Sequence, residues 1–498
     1  MRLHQILPWT SQQTPPELPN ASDLFSIDPD YVTAPMPKVL WIELTSKCPF
    51  DCIFCTRKTR FGAGQNLEFE IYQRLIRELE APDFIGLNYS GESIYYPRLL
   101  EAINLAASTG ALTELVTAFS TVSKTLLEGI VASGLDRLAV SLHTMDAQQY
   151  QDIYQFGSID LLKQRVNDFL ELKSARGLQK PRLDFCFVAM NENLDQLPQV
   201  VEYAKSVGVA EISLHPIIGR HLVAHDFSRE LAGNTLRDGF KDALRESIAA
   251  VEAAHPGFVV NVLNPDIDPH PRVSHTPAYF GPPLPSEARL FSCDQSPFES
   301  VHVLATGKVV VCEVLDEIPL GDLHQQSLRE IWHGETYREF RRNYVTHPGP
   351  ACRNCVWKLA YVPGSWTSSI GVREGMSPQL LRGWHAHEGT ELIWSRRHAL
   401  LALSNPKGSK RIRVAGTLPH APNGQTNSLT VTCNNSEIGQ IRNDSNQFLS
   451  FEEKLPISAS APFLHLGFST AHAFRPSLHG SSLDARDLGF ALRRIEVM

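Results

Sequence analysis

Short apolar runs and amphipathic stretches alternate along the first half of the chain. Apolar runs near 39–44, 84–90, 113–119, 137–143, 182–189 and 211–216 have the length and residue types of strands. Between them, segments near 68–81, 95–108, 122–133, 158–176 and 194–207 space their apolar residues for one buried helix face. Six βα units within roughly 180 residues call for a parallel sheet, and right-handed crossovers curl it into a barrel or part of one.

Alternation within the strands says what fills that barrel. Ile42 and Leu44, Leu138, Val140 and Leu142, Leu183, Phe185 and Phe187, and Ile212 and Leu214 form an apolar face suited to packing under helices. The other face carries Glu43 and Thr45, Asn88 and Ser90, Ser141 and His143, Asp184 and Cys186, and Ser213 and His215. Closed barrels ordinarily fill their interior with branched apolar side chains. A polar interior predicts a lumen wide enough for a cofactor and a substrate. A register slip would exchange the faces of one strand, not of all five together.

The pattern changes twice more. Residues 217–285 combine a helical pattern at 229–254 with a loop, NPDIDPHPRVSHTPAYFGPPLP, too rich in proline for regular structure. His270 and His275 there are candidate ligands, though exposed loop histidines without a role are commoner. From about 383, short alternating strands (391–395, 398–404, 411–417, 428–433, 447–452, 463–469, 488–497) separated by turns read as an all-β sandwich.

Composition narrows the class. No apolar run approaches a membrane span, and the first twenty residues lack a secretory pattern. A net charge of −8 with no basic block disfavours a nucleic-acid partner. The cysteines, at 48, 52, 55, 186, 293, 312, 352, 355 and 433, are odd in number and mostly fall in two groups. That argues against a disulfide framework and for a reducing cytoplasm.

The first group, SKCPFDCIFCTRK, sets Cys48, Cys52 and Cys55 in a C-x3-C-x2-C spacing directly after the first apolar run. Zinc wants a fourth protein ligand nearby. An iron–sulfur cluster held by three thiolates keeps one iron open for a small molecule. The spacing, with Phe54 before the third cysteine, resembles the radical S-adenosylmethionine (SAM) superfamily. That resemblance implies a partial (β/α)6 barrel and a [4Fe–4S] cluster that binds SAM and cleaves it to a 5′-deoxyadenosyl radical. It also implies an electron donor such as flavodoxin or ferredoxin. Ser90-Gly91-Glu92 resembles the family's Gly-Gly-Glu motif, which receives the SAM amino group, with serine in place of the first glycine. Thr117, Ser120 and Ser141 end strands where relatives contact the SAM ribose or carboxylate; Asn191 and Asn193 are weaker candidates.

The second group places Cys293, Gly307 and Cys312 in a C-x13-G-x4-C hairpin pattern, followed by a helix with Trp332 and then Cys352-x2-Cys355. This resembles the SPASM/twitch extension of radical SAM enzymes and implies one auxiliary [4Fe–4S] cluster. Four thiolates also suit a structural zinc. The last segment, with Gly383, Trp384, Glu388 and Trp394 and the close FRPSLHGSSLDARDLGFALRRIEV, resembles accessory sandwiches beside polysaccharide-locus glycosyltransferases. Trp384, His385 and Trp394 are candidates for a sugar-stacking platform, against the commoner role of tryptophan in a core.

The expected organisation is an N-terminal extension (1–37), the barrel (38–225), a connecting helix and Pro-rich loop (226–285), an auxiliary-cluster domain (286–360) and a β-sandwich (383–498). The expected activity is hydrogen abstraction from a sugar-like or glycan substrate with net oxidation. Glu43, His143, Asp184 and Cys186 are the inward candidates for substrate chemistry. The alternatives are epimerisation with Cys186 as hydrogen donor, peptide modification, and non-catalytic glycan binding.

Overall fold

The barrel strands form where branched and aromatic residues cluster. They are β1 (Val39–Ile42), β2 (Phe84–Gly86), β3 (Leu112–Thr117), β4 (Arg137–Ser141), β5 (Arg182–Ala189) and β6 (Glu211–Pro216), parallel and in that spatial order, with β7 (Val259–Val262) beyond β6. The structure is a computed structural model. It describes residues 36–498 apart from 56, 58–60, 210, 217–239, 263–288, 294, 354, 356–357, 362–366, 373–376, 378, 386–390, 407–408, 422–424, 435, 459–462, 475 and 477–487. His270, His275, Glu388 and nearly all of the N-terminal extension lie outside the described residues.

Helices α1 (Phe69–Arg77), α2 (Leu99–Ala107), α3 (Lys124–Ala132), α4 (Ala147–Tyr154), α5 (Ile159–Ala175), α6 (Leu197–Ser206) and α7 (Phe240–Ala254) connect and cover the strands. Ser123, Asp146 and Ser158 cap α3, α4 and α5 by accepting the backbone N–H of Leu126, Gln149 and Leu161. Leu138, Val140, Leu142, Phe185, Phe187, Ile212 and Leu214 are wholly buried in one core with the helix faces. Each such side chain contributes about 1.5–3 kcal/mol.

Opposite that face, the lower layer of the interior is a row of paired charges. Arg137 binds Glu114 at 2.6 Å, Asp184, and Ser213 Oγ at 3.3 Å; Arg182 reaches Asp184 at 2.6 Å and Glu211 at 3.8 Å. Buried carboxylates persist because each has a guanidinium partner.

The next region is joined to the barrel through its sheet. Strands β8 (Arg289–Cys293), β9 (Ser300–Val303), β10 (Lys308–Val310), β11 (Gly321–Asp322) and β12 (Lys358–Tyr361) surround helices α8 (Leu328–Trp332) and α9 (Glu335–Thr346). β9 runs parallel to β1, pairing Val39 with Ser300 through Ile42 with Val303. The sheet therefore has ten strands, in the order β11-β10-β9-β1-β2-β3-β4-β5-β6-β7. Gly307, at φ +76°, makes the β9–β10 turn. β8 pairs separately with β12.

An all-β domain follows, built from β13 (Ser369–Gly371), β14 (Leu380–Trp384), β15 (Ile393–Ser404), β16 (Arg411–Leu418), β17 (Asn427–Cys433), β18 (Ser436–Asn443), β19 (Leu449–Pro456), β20 (Phe463–Thr470) and β21 (Ala491–Val497). The expected break between 391–395 and 398–404 is absent. β15 runs through it, pairing with β21 at Ile393–Trp394 and with β20 from His398 to Ser404. The domain takes in β13 and the start of β14, ahead of residue 383, because Ile370, Val372 and Leu380 pack into its separate core. Trp384 is core as well: it is buried and donates its indole N–H to the Leu400 carbonyl at 2.9 Å. His398 Nε2 lies 3.3 Å from Asp83, which precedes β2, so this domain touches the end of the barrel where the strands begin.

Candidate active site

Cys48, Cys52 and Cys55 lie on the loop leaving β1, and backbone bonds pin that loop. Asp51 N–H donates to Tyr154 O at 3.2 Å and Ile53 N–H to Ile153 O at 2.9 Å, seating the loop on the last turn of α4. Buried Arg57 donates to Ser46 O at 3.0 Å and Gly62 O at 3.1 Å, closing the loop behind its third cysteine. Burial, and then nearby Glu92, pushes the Cys48 thiol up to about 12. Cys52 is raised further by burial and by Cys55 and Cys48. Thiols raised like those of Cys48 and Cys52 become stable thiolates around a cationic group, which an iron–sulfur cluster supplies.

Ser90-Gly91-Glu92 lies against the start of this loop. Glu92 N–H donates to Lys47 O at 2.9 Å, and a Cβ on Gly91 would stand 2.1 Å from Thr45 O. Only glycine allows that approach. Glu92 is buried and accepts from Ala118 N–H at 2.8 Å and from Thr117; burial still raises its carboxyl to about 6. Its contacts hold the end of β3 in a strained turn, where Phe119 has φ 63° and Thr117 Oγ1 accepts its N–H at 2.9 Å. Ser120 accepts from Tyr150 OH at 3.1 Å, and the Ser141 carbonyl accepts from Tyr154 OH at 2.9 Å.

His143 is buried after β4. Its ring stacks on Tyr154 at 5.1 Å and 3°, Tyr154 stacks on Tyr150 at 4.3 Å, and Phe54 meets His143 edge-on at 5.1 Å. Val188 N–H donates to Nδ1 at 3.1 Å, and burial lowers the ring to about 3, so His143 is neutral with its proton on Nε2. Asn193 is fully used in structure, bonding Met190 N–H, His143 O and Val188 O. Cys186 stands level with Ser141, its thiol pushed up to about 12 by burial.

Two inward candidates stand elsewhere. Asp184 belongs to the Arg137–Arg182 charge row, one layer below Cys186. Glu43 accepts from Ser90 Oγ and from Ala305 N–H at 2.8 Å, tying the barrel to the β9–β10 turn.

The second thiol group converges. Cys293, Cys312, Cys352 and Cys355 line one cavity of about 430 Å³, counting its open mouth, with Gln295, Val311, Phe340, Tyr344 and Lys358. Burial raises Cys293, Cys312 and Cys352, and proximity to the other thiols adds to it. Among the described residues no three ligating groups stand close enough to share a single metal ion. Four thiols around one cavity are a donor set that suits an iron–sulfur cluster. Spacing flagged these cysteines; nothing in spacing flagged Arg57, Tyr150, Tyr154, Tyr344 or Lys358.

Residues 42–204 match the radical SAM superfamily model, and residues 293–356 match the SPASM iron-sulfur cluster-binding domain. The chain carries a radical SAM domain and a SPASM domain. The first implies a SAM-binding [4Fe–4S] cluster and the second auxiliary iron–sulfur clusters. Among similar proteins, a PqqA peptide cyclase of Granulibacter bethesdensis is 24% identical over 334 residues, 64% of this chain and 79% of that one. A tungsten-containing aldehyde ferredoxin oxidoreductase cofactor-modifying protein of Pyrococcus furiosus is 18% identical, over 64% of this chain and 87% of that one. Streptococcus suis SuiB bound to S-adenosylmethionine superposes with a TM-score of 0.46 at 13% identity, covering 61% of this chain and 68% of that one. Neither the peptide cyclase nor the cofactor-modifying protein is named for a sugar, in contrast to the substrate expected from the sequence. Among the described residues no helix is long and apolar enough to cross a membrane.

Proposed function

We propose that this radical SAM enzyme carries out a net two-electron oxidation, removing a hydrogen atom from a carbon that bears a hydroxyl group. When bound, SAM at the first cluster would supply the radical that takes one hydrogen atom from the carbon, the auxiliary cluster would accept the second electron, and the hydroxyl proton would leave to solvent, giving the carbonyl. The observation that carries this reading is the cavity lined by Cys293, Cys312, Cys352 and Cys355. A cluster held by four thiolates has no open iron for substrate, which leaves electron transfer as its role.

The protein's own residues do the rest. Cys48, Cys52 and Cys55 would hold the first cluster, Gly91 lets the strand end close on the Thr45–Lys47 backbone that leads to it, and Glu92 would receive the ammonium of SAM. Phe54 and neutral His143 wall the adenosine side, with Thr117, Ser120 and Ser141 at the strand ends. The polar inner face above the Arg137 row faces the substrate, whose hydroxyls it suits. Asp184 and Glu43 act by positioning, through the charge row and the hairpin tether.

The names of the peptide-cyclase relatives favour a second reading, in which the oxidised carbon belongs to a peptide. Anaerobic incubation of reconstituted enzyme with SAM, reductant and either a sugar-nucleotide set or peptide libraries separates the two. The proposal expects a product two mass units lighter, with one 5′-deoxyadenosine each, from the hydroxylated compounds. Replacing Cys312 and Cys355 by Ala should leave 5′-deoxyadenosine without that product. An isobaric product carrying solvent deuterium, lost in Cys186→Ala, would mean epimerisation instead.

A further inference from the structure

Besides its thiols and Gln295, the auxiliary cavity is lined by two polar side chains, Tyr344 and Lys358. Tyr344, on α9, is buried, and its hydroxyl has no hydrogen-bond partner among the described residues. It lines the same cavity as Cys293, whose thiolate form a bond from this hydroxyl would favour. Phe340 stacks beside the Tyr344 ring at 6.3 Å and holds it there. Lys358, on β12, stands directly opposite Cys293 in the β8–β12 ladder. Its ammonium donates to the Cys355 carbonyl at 3.1 Å, and it is the one charged residue among the described residues lining the cavity.

We propose that Tyr344 and Lys358 set the reduction potential of the auxiliary cluster, Tyr344 by donating its O–H to the Cys293 sulfur and Lys358 by placing a cation beside Cys355. Reduction adds negative charge to a cluster already made anionic by four thiolates. A hydrogen bond to sulfur and a neighbouring cation both stabilise the reduced state and raise the potential. A buried hydroxyl aimed at sulfur is costly unless that sulfur is a thiolate acceptor, which is the state a ligand adopts. The pair thus makes the site a better electron acceptor. This inference rests on the oxidation reading above for its purpose, and on the four-thiol site for its existence.

The test is an EPR-monitored redox titration of full-length, reconstituted protein in the Cys48→Ala/Cys52→Ala/Cys55→Ala background, where the auxiliary cluster is the only one expected. Tyr344→Phe and Lys358→Met should each favour the oxidised cluster about tenfold, a fall of about 59 mV for one electron. Lys358→Arg should stay near the parent. Pulsed EPR in D2O should show an exchangeable deuteron near the cluster that disappears in Tyr344→Phe, a signature that general loosening of the site would not remove selectively. Unchanged potentials and an unchanged deuteron signal, with about four irons retained, would overturn the tuning role and leave the oxidation reading standing. A site that loads one zinc in place of iron would remove both.

Discussion

Gly91→Ala tests the close approach on which the SAM site is built. A Cβ at residue 91 would lie 2.1 Å from Thr45 O and 2.8 Å from Lys47 O and the Ser46 carbonyl carbon. Non-bonded carbon and oxygen rest at about 3.3 Å, so the loop leading to Cys48 or the strand end bearing Glu92 must move by about 1 Å. All three obstructing atoms are backbone, which cannot rotate away as a side-chain tip does. Overpacking of this kind costs about 1–3 kcal/mol, and the upper end is expected here, roughly 100-fold in occupancy of the native arrangement. The hydrogen bond from Glu92 N–H to Lys47 O, 2.9 Å long, spans the same gap and should be the first to break. The assay is 5′-deoxyadenosine formation by reconstituted enzyme across SAM concentrations, with iron content measured alongside. Gly91→Ala should keep the auxiliary irons, raise the SAM requirement and cleave SAM about 100-fold more slowly. Gly371→Ala, where nothing lies within 4 Å, is the control. SAM cleavage by Gly91→Ala within twofold of the parent would refute the argument.

Arg137→Met leaves Glu114 without its guanidinium and Asp184 with Arg182 alone, so urea denaturation should show a loss of about 3 kcal/mol. Adding Asp184→Asn should recover part of it; strict additivity would contradict the shared network. In the all-β domain, burial lowers His465 to about 3 from 6.5. A depressed histidine contributes stability above pH 6.5 that is lost as pH falls towards 3, at about 1.4 kcal/mol per unit. Hydrogen exchange of that domain should rise between pH 6.5 and 5 after correction for intrinsic rates, and His465→Gln should flatten the dependence. Ending the chain after residue 366 should leave a soluble protein that cleaves SAM. Ending it after 382 should aggregate, because Ile370, Val372 and Leu380 lose the core that buries them; equal solubility of the two would contradict the domain limits.

The six barrel strands were legible because period-two alternation and apolar length speak for themselves, and the cluster cysteines because spacing is local. Helix α4 was not legible: AQQYQDIY buries only Tyr150, Ile153 and Tyr154, too few for a visible stripe. Strand β18 escaped for the related reason that it is an edge strand with mostly solvated positions. Asp184 and Glu43 were correctly placed on the polar face, yet their partners come from neighbouring strands or from a turn 262 residues away. No local pattern encodes such a pairing. The joining of β9 to β1 is of the same kind, since it depends on an open sheet edge rather than on either strand alone. Tyr344 and Lys358 likewise became meaningful only when one cavity gathered them with the four thiols.

The most direct measurement is iron content and 5′-deoxyadenosine formation in anaerobically reconstituted protein, compared with Cys48→Ala/Cys52→Ala/Cys55→Ala. The parent should hold about eight irons and cleave SAM; the variant should hold about four and form no 5′-deoxyadenosine. Undiminished 5′-deoxyadenosine from the variant would contradict the assignment of the β1 loop as the radical-generating site.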